Sequence, residues 1–225
     1  MYTESIEDYL KAVYEIQKEM GKVTTNSISE KLGVAPASVT GMMKKLSENK
    51  LITHKRYQGV KLTQAGQKIA LEVIRHHRLI ELYLAQALGV PWDQVHEEAE
   101  KWEHVLSEDL EDRIDAVLGH PTRDPHGSPI PSRDGTIIEL DSIPLADLGP
   151  GQSGVVAEVS DHNPDLLRYI GEMGLYPETK VEVLSVEPFS GPITIKVGDI
   201  SHILGPQAAQ FVLVTDVELG HSELT

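Results

Sequence analysis

Carboxylate and imidazole side chains recur at helical spacing in two predicted helices in the middle of the sequence. Four on the second helix stand at positions i, i+4, i+7 and i+8, and two on the first helix are one turn apart, so each group shares one helix face. They are His96, Glu100, Glu103 and His104 on the second helix and His77 and Glu81 on the first. A short connection makes these helices antiparallel neighbours, and Asp8 near the N-terminus is a further candidate. Any one of these residues could simply be solvated, but the set together predicts a cation site.

The chain contains no cysteine, which excludes disulfides, thiolate metal sites and thiol catalysis. A transition metal would therefore be held by His, Asp and Glu alone. Such an oxygen-rich set suits Mn²⁺ and, next, Fe²⁺, whereas Zn²⁺, Co²⁺ and Ni²⁺ could bind as tightly or more tightly in vitro because affinity follows the Irving–Williams order. Availability would then decide which metal is bound in the cell.

The charge is distributed unevenly along the chain. The net charge is −15, yet residues 1–63 carry ten Lys or Arg against seven Asp or Glu, a net of +3, and the remainder carries −18. A basic patch on an acidic protein is what contact with DNA phosphates requires. The candidates for phosphate contact are Lys44, Lys45, Lys55 and Arg56.

The first 63 residues read as a winged helix-turn-helix. Apolar periodicity predicts a helix over 3–20 and a second helix that ends at Leu32, with Thr25 or Asn26 as its cap and Gly33 as its stop. Pro36 suits the first turn of a third helix. Alternation over 51–63 then predicts a short hairpin around a turn near Tyr57–Gly59. Small residues begin the third helix, which is the end that enters the major groove, so thymine contacts and DNA shape should dominate its readout. They are Ala35, Pro36, Ala37, Ser38 and Thr40.

The rest of the chain divides into helices, a linker and a β-rich segment. Long helices are predicted over 64–88 and 92–118, and their extensive apolar faces indicate a homodimer. Four prolines and three glycines mark 119–135 as an extended, semi-rigid linker. About five short strands, among them VVAEV, KVEVLSV, PITIKV and FVLV, with one short helix in DLLRYIGEMG, indicate a small SH3-like barrel. The fold class is mainly α with β, and the expected domains are 1–63 for DNA binding, 64–140 for metal binding and dimerisation, and 141–225 for the barrel.

The sequence predicts a cytoplasmic protein without a membrane partner. No apolar run approaches the roughly 18 residues needed to span a bilayer. The start, MYTESIEDYL, has acidic residues where a secretory signal would have basic ones.

Several segments carry a resemblance to a known family. EDYLKAVYEI, APASVTGMMKKL, VKLTQAGQKIA, RHHRLIELYL, VHEEAEKWEHVLSEDLEDRI and DPHGSPIP resemble the diphtheria-toxin-repressor family of metal-dependent regulators over nearly the whole chain. The C-terminal part resembles the SH3-like domain of that family, which also occurs in ferrous-iron transport accessory proteins. The resemblance implies a DNA-binding homodimer that acts on an operator in double-stranded DNA.

The resemblance also implies two metal sites. The primary one would use Asp8, Glu100, Glu103 and His104. A neighbouring one would use His77, Glu81 and His96, or Glu81 with linker and C-terminal groups. Those further groups are Asp124, His126 and Asp161 or Asp165.

The resemblance points to the manganese-responsive branch of the family. Iron-responsive members carry Met and Cys where this chain has Asp8 and Glu100, whereas manganese-responsive members carry Asp and Glu. Some manganese sensors have an acid three residues after the Asp, and here that residue is Lys11, which argues against a binuclear site that depends on the acid.

The sequence as a whole predicts a Mn²⁺-activated repressor of metal-uptake genes that is not an enzyme. An Fe²⁺-responsive or broadly responsive repressor of the same family is the alternative. A helical di-metal enzyme would need two Glu-x-x-His motifs, and the residue three before His104 is Lys101. A constitutive DNA-binding protein whose barrel binds peptide would leave the clustered ligands unexplained.

Overall fold

The computed structural model describes residues 2–55 and 59–219. The chain forms two compact units. One comprises Met1–His77, Glu100–Asp112 and Pro131–Ile137, and the other comprises Arg78–Ala99, Arg113–Ile130 and Ile138–Thr225. The first is called the N-terminal unit below, and the second the C-terminal unit.

The N-terminal unit begins with three helices and a hairpin, as the sequence predicts. The elements are α1 (Glu4–Met20), α2 (Thr25–Leu32), α3 (Pro36–Glu48), β1 (Ile52–Lys55) and β2 (Gly59–Leu62). The cap of α2 is Thr24 and not Thr25 or Asn26 as predicted, because the Thr24 side chain accepts a hydrogen bond from Ser27 N. Gly33 ends the helix as predicted, at φ 64° in the left-handed region. The strands pair antiparallel. The winged helix-turn-helix is therefore confirmed, although the predicted turn at Tyr57 lies outside the described residues.

The core of this part joins all five elements. Leu10, Ile28, Val39 and Leu46 are buried at the meeting point of α1, α2 and α3, and Val60 of the hairpin joins them. The positions follow the helical spacing that the sequence carries. The hairpin is tied in further because Val60 N donates to the carbonyl of Val23.

The predicted helix over 92–118 is wrong, whereas the helix before it is confirmed. That helix, α4, runs over Gln64–Leu88, and the following segment forms two shorter helices, α5 (Val95–Trp102) and α6 (Glu108–Val117). Ser107 caps α6, since its carbonyl accepts a hydrogen bond from Glu111 N and its hydroxyl accepts one from Leu110 N. The Glu103 carbonyl lies 3.0 Å from His76 Nδ1. The contacts of Ser107 and His76 replace the hydrogen bonds that a continuous helix would make.

The proline-rich segment turns back on itself and is not extended throughout as predicted. Within the C-terminal unit, Arg123 pairs with Pro129 in an antiparallel bridge. The Asp124 carboxylate accepts hydrogen bonds from His126 N (2.8 Å) and Ser128 N (3.0 Å), which is how an Asp side chain stabilises a turn. Gly127 has φ +91°, and a Cβ there would stand 2.0 Å from the Ala157 carbonyl, so only glycine fits.

The C-terminal part of the chain forms an antiparallel sheet of six strands, one more than the approximate number predicted. Its order is β3-β8-β4-β5-β6-β7. The elements are β3 (Ile143–Pro144), β4 (Gln152–Val159), α7 (Pro164–Glu172), β5 (Lys180–Val186), β6 (Ile193–Val197), β7 (Ile200–Leu204), α8 (Pro206–Ala209) and β8 (Val212–Leu219). Val156, Leu167, Val183 and Ile195 lie in its buried core, and Trp92 packs against that core. Among the described residues, no helix is long and apolar enough to cross a membrane.

Candidate metal centres and DNA-binding element

Three of the predicted ligands meet in the N-terminal unit. Asp8 on α1 and Glu103 and His104 in the turn after α5 each offer a ligand atom within 4.8 Å of the others. His104 Nε2 lies 2.8 Å from Asp8 Oδ1 and 3.4 Å from Glu103 Oε1. Two donors that bind one metal ion at about 2.1 Å each can lie at most about 4.2 Å apart. Both of these distances are within that limit. This group is called the first centre.

A lysine side chain lies against the first centre. Lys11 Nζ donates to Glu100 Oε1 at 2.8 Å and to both oxygens of Glu103 at 3.0 and 2.8 Å, and it lies 3.3 Å from His77 Nδ1. The Lys11 side chain is 11% exposed and that of Glu103 is fully buried. An ammonium group therefore offsets the negative charge of two predicted ligands.

Glu100 and His77 complete this surrounding. Glu100, His77 and Glu103 also offer ligand atoms within 4.8 Å of one another. His77 Nδ1 makes a short contact with Glu103 Oε2. Glu100 is 46% exposed and lies 3.8 Å from His77. The structure thus brings Asp8, Glu103 and His104 together and places Glu100 beside Lys11.

Burial and neighbouring charges shift the pKa values of two carboxyl groups in the first centre in opposite directions. Burial raises the pKa of Asp8, and the neighbouring Glu103 adds to this, although His104 opposes it. Burial alone would also raise the pKa of Glu103, but the hydrogen bond with His77 and the charge of Lys11 lower it overall. Glu103 is therefore held as an anion, the form that binds a metal.

Polar side chains behind the first centre fix the turn that carries it. His76 contacts the Glu103 carbonyl with Nδ1 and Glu111 Oε2 with Nε2 (3.2 Å). Arg75 donates to the other oxygen of Glu111 and to the Pro131 carbonyl. Burial by itself would raise the pKa of Glu111, but hydrogen bonds from His76 and Arg75 lower it to about 2.

A second group of predicted ligands meets within the C-terminal unit. His96 Nδ1 lies 3.3 Å from Glu81 Oε1 and 3.6 Å from Asp161 Oδ2. Burial by itself would lower the pKa of His96, but hydrogen bonds with Asp161 and Glu81 raise it to about 10. Burial would likewise raise the pKa of Asp161, yet His96 lowers it overall. The alternative ligand Asp165 instead pairs with Arg168.

The turn at 124–128 adds two buried donors to this group. Asp124, His126 and Glu81 offer ligand atoms within 4.8 Å of one another, and all three are buried. His126 Nε2 lies 2.7 Å from the Trp92 carbonyl, so Nε2 carries the hydrogen and Nδ1 is left as the basic nitrogen. Neither Asp124 Oδ2 nor His126 Nδ1 has a hydrogen-bond partner among the described residues. Glu81, His96, Asp124, His126 and Asp161 are called the second centre.

Burial governs the ionisation of Asp124. Burial and the neighbouring Glu81 raise its pKa to about 7, although Arg78 and His126 oppose this. Arg78 Nε is 3.7 Å from Asp124 Oδ2. Buried polar atoms without hydrogen bonds are costly unless a ligand satisfies them, so the donors of this centre fit a divalent cation. The oxygen-rich donors of the first centre fit the same class of ion.

The predicted DNA-contacting residues of α3 lie at the surface. The small residues at its N-terminus are all exposed, and so are the two lysines in its later turns. They are Ala35, Pro36, Ala37, Ser38, Thr40, Lys44 and Lys45. Of the two predicted wing contacts, Lys55 is the last residue of β1, and Arg56 lies outside the described residues.

Sequence reasoning missed two partners of the histidines in these centres. Glu7 Oε2 lies 2.8 Å from His104 Nδ1, and the Trp92 carbonyl holds His126. Glu7 and Lys11 are four residues apart, which places them on one face of α1 beside Asp8. The helical spacing could therefore have predicted that Glu7 lies near the first centre. The contact of the Trp92 carbonyl could not be predicted in this way, because every residue has a backbone carbonyl.

Three family models match successive parts of the chain. Residues 1–60 match "Iron dependent repressor, N-terminal DNA binding domain". Residues 63–132 match "Iron dependent repressor, metal binding and dimerisation domain", and residues 143–216 match the FeoA domain.

Curated relatives and solved structures agree with these matches. The iron-dependent repressor IdeR of Mycobacterium leprae is 30% identical over 226 residues, covering 95% of this chain and 98% of that protein. The regulator MntR of Bacillus velezensis is 36% identical over 114 residues, covering 51% and 80%. A solved structure of a manganese-dependent transcriptional repressor in complex with manganese is 38% identical with a TM-score of 0.87, covering 93% of this chain and 99% of that one.

Proposed function

The chain belongs to the iron-dependent repressor family, a family of metal-dependent transcriptional repressors that includes the diphtheria toxin repressor, and we propose that it is a manganese-activated repressor of metal-uptake genes. The observation that carries this proposal is the first centre, whose donors come from α1 and from the turn after α5 within the unit that also holds α3. Metal binding and DNA reading are thus connected through α1.

The donor chemistry favours Mn²⁺ over softer ions. Asp8, Glu100 and Glu103 supply carboxylate oxygens, His104 supplies one imidazole, and the chain has no cysteine. Hard oxygen donors suit Mn²⁺. Fe²⁺ is the second candidate because the relative from Mycobacterium leprae, which matches over nearly its whole length, is named as iron-dependent.

We assign Asp8, Glu100, Glu103 and His104 as the activating ligands, and the second centre as an accessory metal site. A bound divalent ion would supply a compact positive charge on which these ligands converge. Asp8 then holds α1 against the turn that carries Glu103 and His104. Fixing α1 fixes the helices packed on it, α2 and α3, and so restricts the orientation of α3 for binding to DNA.

The dimer seam is assigned to the apolar surface around the end of α5 and the start of α6. Trp102, Val105 and Leu110 are 42%, 79% and 48% exposed, and large exposed apolar groups close together in the sequence favour burial against a second copy. A homodimer would present two copies of α3 to half-sites about one helical turn of DNA apart. Sedimentation of the Mn²⁺-loaded protein as a monomer would contradict this seam.

DNA binding as a function of metal tests the proposal. A DNA duplex is first selected from a random library with the Mn²⁺-loaded protein. Under anaerobic conditions, this duplex is then titrated with protein that a chelator has freed of metal, with and without each divalent metal. Wild type should bind only with metal, with Mn²⁺ effective at concentrations at which it is available in cells, and Glu103→Gln should not respond. Equal DNA affinity of wild type with and without Mn²⁺ would refute activation. Loss of response in Glu81→Gln but not in Glu103→Gln would mean that the second centre is the activating one.

A further inference from the structure

The imidazole of His104 lies between carboxylates that approach its two nitrogens. Nε2 faces the predicted ligands, at 2.8 Å from Asp8 Oδ1 and 3.4 Å from Glu103 Oε1. Nδ1 faces away from them and lies 2.8 Å from Glu7 Oε2. The side chains of His104 and Glu7 are 8% and 15% exposed, so water competes little for this contact.

This arrangement determines which nitrogen of His104 can bind a metal. A metal takes the lone pair of one ring nitrogen, and the other nitrogen must then carry the hydrogen. Because an ionised carboxylate only accepts hydrogen bonds, Glu7 keeps a hydrogen on Nδ1, whereas the hydrogen that Asp8 accepts from Nε2 is the one that a metal ion would replace. The lone pair is then on Nε2, beside Asp8 and Glu103.

His104 needs such a restraint because of its place in the chain. α5 ends at Trp102 and α6 begins at Glu108, so His104 lies in a turn whose backbone is not part of a regular helix. The ring is therefore oriented by its side-chain contacts, and Glu7 contacts it on the side opposite the ligands.

We propose that Glu7 is a positioning residue of the first centre, which holds His104 with Nε2 directed to the metal and increases the basicity of that nitrogen. This inference rests on the proposed function of the first centre. Since Glu7 and Asp8 are adjacent on α1, the helix then engages His104 at one nitrogen through Glu7 and at the other through the shared ion. Carboxylates that hold metal-binding histidines typically contribute about 10–100-fold to metal affinity.

Mn²⁺ affinity tests the proposal without reference to DNA. The reference protein is the full-length chain with Glu81→Gln, which weakens the second centre. This protein and its Glu7→Ala, Glu7→Gln and control Glu4→Ala derivatives are titrated with Mn²⁺ against a fluorescent chelator. Glu4 lies on the same helix and is exposed. We expect about a 10–100-fold loss of affinity in Glu7→Ala and the affinity of the reference protein in Glu4→Ala. Glu7→Gln should recover part of the loss because its amide oxygen still accepts a hydrogen bond.

The state of the His104 ring is a readout that a purely structural role of Glu7 would not change. Nitrogen-15 NMR of histidine-labelled, Zn²⁺-loaded protein should show His104 with Nε2 bound to metal and a slowly exchanging hydrogen on Nδ1, and Glu7→Ala should lose that slow exchange. Unchanged affinity in Glu7→Ala, or metal on Nδ1 in wild type, would overturn the proposal. If Glu103→Gln also leaves Mn²⁺ affinity unchanged, the first centre itself is wrongly assigned, which separates failure of the proposed function from failure of the role of Glu7.

Discussion

Replacing Lys11 with methionine should destabilise the chelated protein and make its stability more dependent on metal. The substitution keeps an unbranched side chain of similar volume and removes the ammonium that donates to Glu100 and to both oxygens of Glu103. Because the Glu103 side chain is fully buried, it cannot compensate for the missing charge by turning to water. His77 remains as its neighbour.

The expected loss of stability follows from these contacts. Removing one partner of a buried ion pair costs about 3–5 kcal/mol because the other charge stays buried, and the remaining contact with His77 places this case at about 3 kcal/mol. In a chain of this length, 1 kcal/mol corresponds to about 2–4 °C, so the melting temperature of the affected transition should fall by about 6–12 °C. Burial by itself would lower the pKa of Lys11, but the negative charges of Glu103 and Glu100 outweigh burial and raise it. Its contribution is therefore present below about pH 10 and lost only above, so the difference should be the same at pH 7 and pH 9.

The assay is thermal unfolding of wild type, Lys11→Met and the control Lys18→Met, each with chelator and with saturating Mn²⁺. Lys18 lies on the same helix but is exposed. A ligand at 100 times its Kd adds about 2.7 kcal/mol, and an ion that replaces the missing charge should add more to Lys11→Met than to wild type. The deficit should therefore shrink with Mn²⁺. A deficit that is absent with chelator, or equal under both conditions, would refute the reasoning.

Three further variants test other parts of the molecule. Changing Lys44 and Lys45 to Ala should weaken binding to every DNA sequence and reduce the slope of log affinity against log salt by about one unit for each DNA phosphate that is no longer neutralised; an unchanged slope would contradict phosphate contact. The pKa of Glu111 is about 2 in the folded state, below its ordinary 4.5, so its stabilising effect is complete above pH 4.5 and lost between pH 4.5 and 2. Denaturant unfolding of Glu111→Gln should therefore depend less on pH in that range than wild type. Asp124, with a pKa of about 7, must ionise to bind metal, so calorimetry at pH 6.5 in buffers of different ionisation enthalpy should detect proton release on Mn²⁺ binding that Asp124→Asn reduces.

Helices with local signals were predictable from the sequence. Gly33 ends α2 and Pro36 begins α3 as predicted, because both residues act on the backbone at their own positions. The cap of α2 was predicted one or two residues too late, since Thr24, Thr25 and Asn26 are all capping residue types. The break between α5 and α6 was not predicted, because apolar spacing continues through it. The contact that accompanies the break, from His76 on α4 to the Glu103 carbonyl, joins residues far apart in sequence. Ser107 followed by two acids was a local capping signal that periodicity outweighed.

The candidate centres were predictable as sets of residue types but not as geometry. Helical spacing placed Glu81 and His96 on adjacent helices, and the resemblance added Asp124, His126 and Asp161. Which nitrogen each histidine presents depends on Glu7 and on the Trp92 carbonyl. Such contacts follow from tertiary packing, which residue spacing does not encode.

The contacts of α1 indicate how the first centre can set the metal concentration to which the protein responds. Lys11 lies against Glu100 and Glu103, so an ion that takes oxygens from these two residues must share them with the ammonium or displace it. Sharing and displacement both lower the affinity for the metal, because both weaken the contacts through which Lys11 stabilises the protein. Because Asp8 lies on the same helix three residues earlier, displacement of Lys11 and capture of Asp8 act on α1 together. The strength of the Lys11 contacts should therefore raise the metal concentration needed for DNA binding, and Lys11→Met should lower it.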